Sequence, residues 1–233
     1  MPTKNKEEYQ RQIAAYLEAH KADYTEVEYE FLKKNAAKAV EYSKGFFISD
    51  ILRQVLTELD LLDDDKSMYR GFVEQLSERF DIDRDIVEVA GGIIPSLAKM
   101  IALKQKTGTI TVYDPRIIKP DNCPENLIVK RQQFNRDTKI PQAKMIIGFM
   151  PCEVAIDIVE AACENEIDFA VALCEGGNRA GYGYLEEDDE WIGMVEYIAK
   201  NGMSDRNMGK LKTFSLEKYG NPYPVIYNER KES

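Results

Sequence analysis

The chain has 233 residues, of which 44% are apolar and 31% are charged, and its formal net charge at pH 7 is −10. This length suits one medium-sized domain with an extension or two small domains, and the apolar fraction supports a substantial core, so a disordered or fibrous chain is excluded. The negative balance disfavours tight sequence-independent binding to phosphate backbones, so a small-molecule partner is expected in preference to nucleic acid.

The cysteine and histidine content gives no metal-binding pattern. Cys123, Cys152, Cys163 and Cys174 form no C-x-x-C pair, and His20 is the single histidine. No zinc site is therefore expected, and reduced thiols in the cytoplasm are the simplest interpretation. No apolar run has the length of a membrane span and the start of the chain lacks a signal-peptide core, so neither membrane insertion nor secretion is expected.

Residues 4 to about 80 have the apolar periodicity of helices. Apolar side chains recur at spacings of three and four, as at Ile51, Val55 and Leu59, while strand-like alternation is missing. We interpret residues 1–80 as a helical cap that precedes an α/β domain over residues 81–233. His20 is interpreted as an ordinary residue on a helix surface.

Residues 86–114 predict one strand, glycine turn, helix, strand unit. Ile86 to Ala90 is a short apolar strand that the Gly91-Gly92 pair ends, and a helix is expected from Pro95 to about Gln105. Thr109 to Tyr113 is rich in β-branched residues and is followed at once by Asp114. Such a unit suits a nucleotide, because glycines let the backbone approach a ligand and an acid after the second strand can accept both hydrogens of a ribose diol.

The segment Glu88-Val89-Ala90-Gly91-Gly92 resembles the first motif of the class I S-adenosylmethionine-dependent methyltransferases, an acid, any residue, Gly, any residue, Gly. Ala90 replaces the first glycine, and Asp114 follows Gly92 by 22 positions, close to the usual spacing of the ribose-binding acid. The dinucleotide pattern G-x-G-x-x-G is absent, which disfavours NAD. The resemblance implies S-adenosylmethionine as cofactor, bound by Glu88, Ala90, Gly91, Gly92, Asp114, Pro115, Asp137 and Phe149.

Two other readings of the glycine segment stay open. The turn can simply pack a helix onto a sheet, or the fold can serve as a non-catalytic module that binds an adenosyl ligand or another protein.

The remaining residues predict a Rossmann-like α/β fold with a seven-stranded, mostly parallel sheet. The resemblance implies that the third strand lies at the edge, that the fourth lies beside the first, and that the last two are antiparallel. The predicted strands after Asp114 are 127–134, 144–150, 168–173, 210–216 and 223–227, and the predicted helices are 154–164 and 188–200.

Three candidates for catalysis follow the fourth and fifth strands, whose carboxyl ends border the ligand crevice of open α/β sheets. They are Cys152, Glu153 and Glu175. The Pro-Cys pair with an acid after the next strand is similar to cytosine-5 methyltransferases, which implies that the Cys152 thiolate attacks a base. The alternative is that Cys152 is a small, buried turn residue. The glycine-rich loop after residue 174, with Tyr182 and Tyr184, is a candidate for substrate recognition.

Overall fold

The computed structural model describes residues 6–27, 29–30, 32–34, 55–56, 59, 63–92, 94–117, 123–140, 142–173, 188–204, 206–218 and 221–229, and the structural statements below concern these residues. No helix within them combines the length and apolar character needed to cross a lipid bilayer.

Seven strands form one mixed sheet with the order β3-β2-β1-β4-β5-β7-β6. The first five strands are parallel, β7 is antiparallel to both β5 and β6, and β7 therefore separates β6 from β5. This order confirms the α/β fold, the edge position of β3, the pairing of β4 with β1 and the antiparallel final pair. The strands are β1 (Ile86–Val89), β2 (Ile110–Tyr113), β3 (Leu127–Lys130), β4 (Met145–Phe149), β5 (Asp168–Ala172), β6 (Lys210–Lys218) and β7 (Asn221–Glu229).

Helices cover both faces of the sheet, and β1, β2, β4 and β5 are accordingly buried along almost their whole length. On one face, α2 (Asp63–Arg79) and α3 (Ser96–Ala102) pack around Phe72, Leu76 and Ile101. On the other, α4 (Val154–Asn165) and α5 (Asp188–Met203) pack around Ile158, Trp191 and Val195. The helix α2 thus shares its core with the sheet. The division of the chain at residues 80 and 81 stays a prediction.

Several predicted element ends differ from the structure: α3 and β3 end early, α5 ends at Met203 instead of Lys200, β6 ends at Lys218, and β7 spans Asn221–Glu229. Helix α3 ends at Ala102 instead of Gln105, because the Asn126 side-chain amide donates to the Ala102 carbonyl at 3.0 Å. Gln105 leaves the helix and donates to the Ile82 and Arg84 carbonyls. Strand β3 ends at Lys130 instead of residue 134, where a turn closes with the Gln132 N–H 2.8 Å from the Lys130 carbonyl.

The interpretation of His20 as a surface residue is also wrong. Helix α1 (Lys6–Ala19) ends just before it, and a 3₁₀ turn (Lys21–Asp23) folds the chain back. The imidazole is only 8% exposed, stacks on Tyr16 with ring centroids 4.3 Å apart, and lies 3.0 Å from an Asp23 carboxylate oxygen. His20 is therefore part of a local aromatic and polar contact at the end of α1.

Candidate functional site

A pocket of about 590 Å³ lies at the carboxyl ends of β1, β2 and β4. The residues that follow these three strands form most of its wall, and Tyr69 of α2 closes one side. Parallel sheets place ligands at this edge, and the volume lies within the range of about 300–1,000 Å³ typical of small-molecule sites.

The turn after β1 gives the pocket its floor. Gly92 has φ 77°, and a Cβ added to Gly91 would lie 2.4 Å from the Cγ1 atom of Val112, so β2 packs too closely for any side chain at Gly91. Ala90 has φ 60°, a left-handed conformation that favours glycine. The replacement of the first glycine by Ala90 therefore keeps the shape of the turn, at a cost of roughly 1–2 kcal/mol.

Asp114 connects this turn to the end of β2. Its carboxylate is 4% exposed, and Oδ2 accepts the Gly92 backbone N–H at 3.1 Å. Oδ1 accepts the Arg116 N–H at 2.8 Å and lies 3.6 Å from the Arg116 Nε atom. Each carboxylate oxygen has a second lone pair, so the side chain can hold the turn and still accept hydrogen bonds from a ligand.

Glu88 is the second buried acid of the pocket. Its side chain is 2% exposed, the Ala98 N–H donates to the carboxyl, and Oε2 has no hydrogen-bond partner among the described residues. Burial raises the pKa of Glu88 to about 8, and the negative charge of Asp114 adds to the shift. The side chain is therefore mainly neutral at pH 7.

The turn after β4 forms the rim opposite Asp114. Helix α4 packs so closely that a Cβ on Gly148 would lie 2.5 Å from the Ile158 Cδ1 atom. Met150 and Cys152 both take left-handed backbone conformations, with φ 52° and 51°. The Cys152 residue is exposed, which contradicts its interpretation as a buried turn residue, and the half-buried Glu153 precedes α4.

Two aromatic pairs border the pocket, one on each face of the sheet. Tyr69 and Phe149 meet edge to face with ring centroids 4.8 Å apart, and Tyr113 and Phe134 do so at 5.6 Å. All four residues line the pocket. They give it flat apolar walls around a polar floor, as expected of a site for a planar, partly polar ligand.

Most of the residues predicted for the site come together here. Nine of them line the pocket: Glu88, Ala90, Gly91, Gly92, Asp114, Pro115, Phe149, Cys152 and Glu153. Asp137 is exposed and does not line the pocket. Glu175 and the loop with Tyr182 and Tyr184 lie outside the described residues.

Sequence reasoning missed several residues of the wall, among them Tyr69, Arg116, Gln133 and Phe134. Arg116 carries a positive charge two residues after Asp114, which was a usable signal. Phe134 was placed inside a strand, Gln133 beside it had no distinguishing pattern, and Tyr69 appeared as one apolar position of a helix. Tertiary packing alone brings Tyr69 to the pocket from α2.

Comparisons with known proteins bear on the fold. No protein-family profile matches the chain, and no curated protein matches its sequence. The fold resembles magnesium protoporphyrin IX methyltransferase from Synechocystis with bound S-adenosylmethionine, at a TM-score of 0.50 and 9% identity over 87% of this chain and 94% of that chain. The same enzyme with bound S-adenosylhomocysteine gives a TM-score of 0.50 and 9% identity over 87% and 97%.

Human N-acetylserotonin methyltransferase in complex with S-adenosylmethionine is also similar, at a TM-score of 0.46 and 12% identity over 88% of this chain and 70% of that chain. The strand order, the antiparallel β7 and the alignment with the Synechocystis enzyme lead to one conclusion. The chain has the fold of the class I S-adenosylmethionine-dependent methyltransferases.

Proposed function

We propose that the protein is an S-adenosylmethionine-dependent methyltransferase that acts on a small molecule. The observation that carries the proposal is Asp114, a buried acid at the carboxyl end of β2 whose Oδ2 atom already accepts the Gly92 N–H. This contact fixes a carboxylate beside a glycine turn, and that arrangement suits the two hydroxyls of a ribose.

The residues of the pocket suit an adenosyl cofactor in three respects. Gly91 has no room for a side chain, so the backbone itself forms the floor against which a ligand lies. Asp114 has lone pairs for the ribose, and the orphaned Glu88 oxygen can receive a polar group. Both Synechocystis structures contain the cofactor or its demethylated product, which supports the same ligand here.

The bound cofactor would supply an electrophilic methyl group on a sulfonium. The protein would then contribute by positioning the acceptor and excluding water. Holding the acceptor in line with the methyl group can provide much of the rate enhancement. Phe149 and Tyr69 form an apolar wall next to the rim, and the half-buried acid Glu153 lines the pocket on that rim. We assign Glu153 the role of accepting a proton from an acceptor hydroxyl or amine.

The acceptor is proposed to be a small molecule because of charge and shape. The net charge of −10 opposes binding to nucleic acid, and the pocket is bordered by aromatic rings that suit a flat organic molecule. The buried free thiol of Cys163 supports a reducing compartment such as the cytoplasm.

A second candidate function uses Cys152 as a nucleophile on a nucleic-acid base. The exposure of this residue at the rim and its proximity in sequence to Glu153 favour it. Methyl transfer that requires a thiol would be abolished by Cys152→Ser, whereas transfer by positioning would survive that change. Activity of Cys152→Ser on a small acceptor would therefore eliminate this candidate.

Isothermal titration calorimetry tests the central proposal. The wild-type protein is titrated with S-adenosylmethionine, S-adenosylhomocysteine and NAD at protein concentrations that detect micromolar binding. We expect saturable binding of both adenosyl ligands at one site per chain and no binding of NAD. Absence of heat with both adenosyl ligands would reject the proposal and favour a non-catalytic interaction module.

A further inference from the structure

We propose that Glu88 is a proton-linked site for the positive charge of the bound ligand: its carboxyl group releases a proton when a cationic group of the ligand pairs with Oε2. This inference rests on the adenosyl-ligand function proposed above, and it adds to that function a chemical partner for one atom and a dependence on pH.

The position of Glu88 is the first support. The side chain lies under the glycine turn, where a Cβ on Gly91 would be 3.4 Å from its carboxyl carbon, and it lines the ligand pocket. Its carboxyl receives the Ala98 N–H, and Oε2 is left without a partner among the described residues although it is buried. A buried carboxyl oxygen without a hydrogen-bond partner is unfavourable, so a ligand that supplies the missing partner gains affinity.

The charges around the carboxyl group are the second support. Asp114 acts on Glu88 as a like charge, and Arg116 directs its positive charge towards Asp114 at 3.6 Å. With burial and the Asp114 charge raising its pKa to about 8, Glu88 keeps its proton in the ligand-free protein at neutral pH. Six titratable groups line the same pocket: Asp114, Arg116, Tyr113, Tyr69, Cys152 and Glu153.

A ligand cation reverses this balance. An opposite charge within a few ångströms favours the ionised carboxylate, so its arrival lowers the pKa and drives the proton off. The proton goes to the solvent, the ligand keeps its own charge, and the result is an ion pair between the carboxylate and the cation. S-adenosylmethionine carries a sulfonium and an ammonium, S-adenosylhomocysteine carries only the ammonium, and 5′-methylthioadenosine carries neither.

Calorimetry in several buffers measures the released proton directly. At pH 6.5 the ligand ammonium is protonated, and the observed heat depends linearly on the ionisation enthalpy of the buffer with a slope equal to the protons released. We expect release to approach one proton per ligand for S-adenosylhomocysteine and S-adenosylmethionine and to be zero for 5′-methylthioadenosine. Release should fall to zero near pH 8, where the ligand ammonium also titrates, and affinity should rise about tenfold per pH unit between about pH 6 and 7.

Comparison of the three ligands identifies which charged group of the ligand pairs with Glu88. Release with both S-adenosylhomocysteine and S-adenosylmethionine supports the proposal and assigns the ammonium, and release with S-adenosylmethionine alone supports it and assigns the sulfonium. Equal release with all three ligands, or release with none despite normal binding, overturns the proposal. Failure of all three to bind would instead reject the adenosyl function itself.

Matched variants test whether the released proton comes from Glu88. Glu88→Gln keeps the size and neutrality of the free side chain, and we expect it to bind S-adenosylhomocysteine with no proton release and with little dependence of affinity on pH. Glu74→Gln changes an exposed carboxylate of α2 and should leave both quantities as in the wild type. Persistent release in a folded Glu88→Gln protein would assign the proton elsewhere and overturn the proposal. If that variant does not fold, the ligand series on the wild type decides the question alone.

Discussion

The two ends of the sheet treat their polar groups differently. At the amino end, one oxygen of Asp83 accepts three backbone N–H groups, from Lys106, Thr107 and Gly108, at 2.7–2.9 Å. Arg84 pairs with Asp168 at 2.7 Å on the same side of the sheet. Each of these side chains closes a loop or joins two strands. This end of the molecule is built for stability.

Both ends contain left-handed backbones without glycine, at Ala90, Met150 and Cys152 on the carboxyl side and at Gln142 and Glu166 on the amino side. Each end also has a buried atom without a partner among the described residues, Glu88 Oε2 and Arg84 Nε. The carboxyl end differs because its strained turns and its unpartnered carboxyl group line a pocket. The difference between the ends teaches that stability and ligand binding can be changed separately in this protein, except where one residue serves both.

Asp114 is that shared residue, and its change should have the largest effect. Asp114→Ala removes the contacts to the Gly92 and Arg116 N–H groups as well as those to a ribose. Charge-assisted hydrogen bonds contribute about 1.5–3 kcal/mol each, so affinity for S-adenosylhomocysteine should fall at least about tenfold. The midpoint of thermal unfolding without ligand should also fall. Calorimetry and thermal denaturation measure the two effects, and unchanged affinity would remove Asp114 from the site.

Glu88 should give the stability of the ligand-free protein a pH dependence that comes from the carboxyl end. Its pKa is raised in the folded protein to about 8, from 4.5 in the reference state, so the folded protein binds the extra proton. The contribution to stability is fully present below pH 4.5 and is lost as pH rises through 8. Shifts of this size correspond to a few kcal/mol.

The test is urea denaturation at pH 6 and pH 9 for the wild type and Glu88→Gln. The wild type should lose more stability between these pH values than the variant does. Parallel losses in the two proteins would show that other groups cause the dependence.

Arg84→Met sharpens the comparison from the amino end. It removes the ion pair of the Asp168 carboxylate, whose side chain is 11% exposed, and keeps the contact with the Asn228 amide at 3.0 Å. We expect a loss of about 2–3 kcal/mol in the free energy of unfolding, with affinity for S-adenosylhomocysteine unchanged.

The matched control is Lys212→Met, which breaks the exposed pair with Glu229 and should cost less than about 0.5 kcal/mol. A large change of affinity in Arg84→Met would show that the two ends are coupled.

Substitutions at the neighbouring residues Ala90 and Gly91 should change the stability of the protein in opposite directions. These are the smallest of the expected effects. Gly91→Ala forces a methyl group against Val112 and should cost about 1–2 kcal/mol, while Ala90→Gly relieves the left-handed strain and should be neutral or stabilising by up to about 1 kcal/mol. Denaturant unfolding of both variants checks this. The reverse order of stabilities would mean that the turn has a different shape.

Sequence patterns were sufficient for the α/β class because the alternation of apolar strands and helices is local, whereas the strand order followed from the resemblance to a family. They also found Asp114, since its distance from Gly92 reflects the length of one helix and one strand. The ends of α3 and β3 were not predictable in this way. The end of α3 depends on Asn126 and Gln105, which contact residues far away in the sequence, and the end of β3 depends on the turn at Gln132.

The protonation and hydrogen bonding of the site residues were harder to predict than the identity of those residues. Nothing in the local sequence shows that Glu88 is protonated, because the pKa shift arises from burial and from Asp114, which follows another strand. The dual role of Asp114 likewise depends on the Gly92 N–H pointing at it. Tyr69 reaches the pocket through the packing of α2 on the sheet, and His20 is buried by a turn that follows its helix.

The place of β7 in the sheet has a consequence for synthesis of the chain. Strand β7 pairs directly with β5, and its Asn228 accepts the Phe169 N–H at 2.6 Å and donates to the Met208 carbonyl at 3.0 Å. While residues 221–229 remain inside the ribosome, one edge of β5 has no partner strand, and β6 has nothing to pair with. Long-range pairing of this kind is slow and exposes apolar surface. We therefore expect the nascent protein to depend on chaperones until β7 emerges.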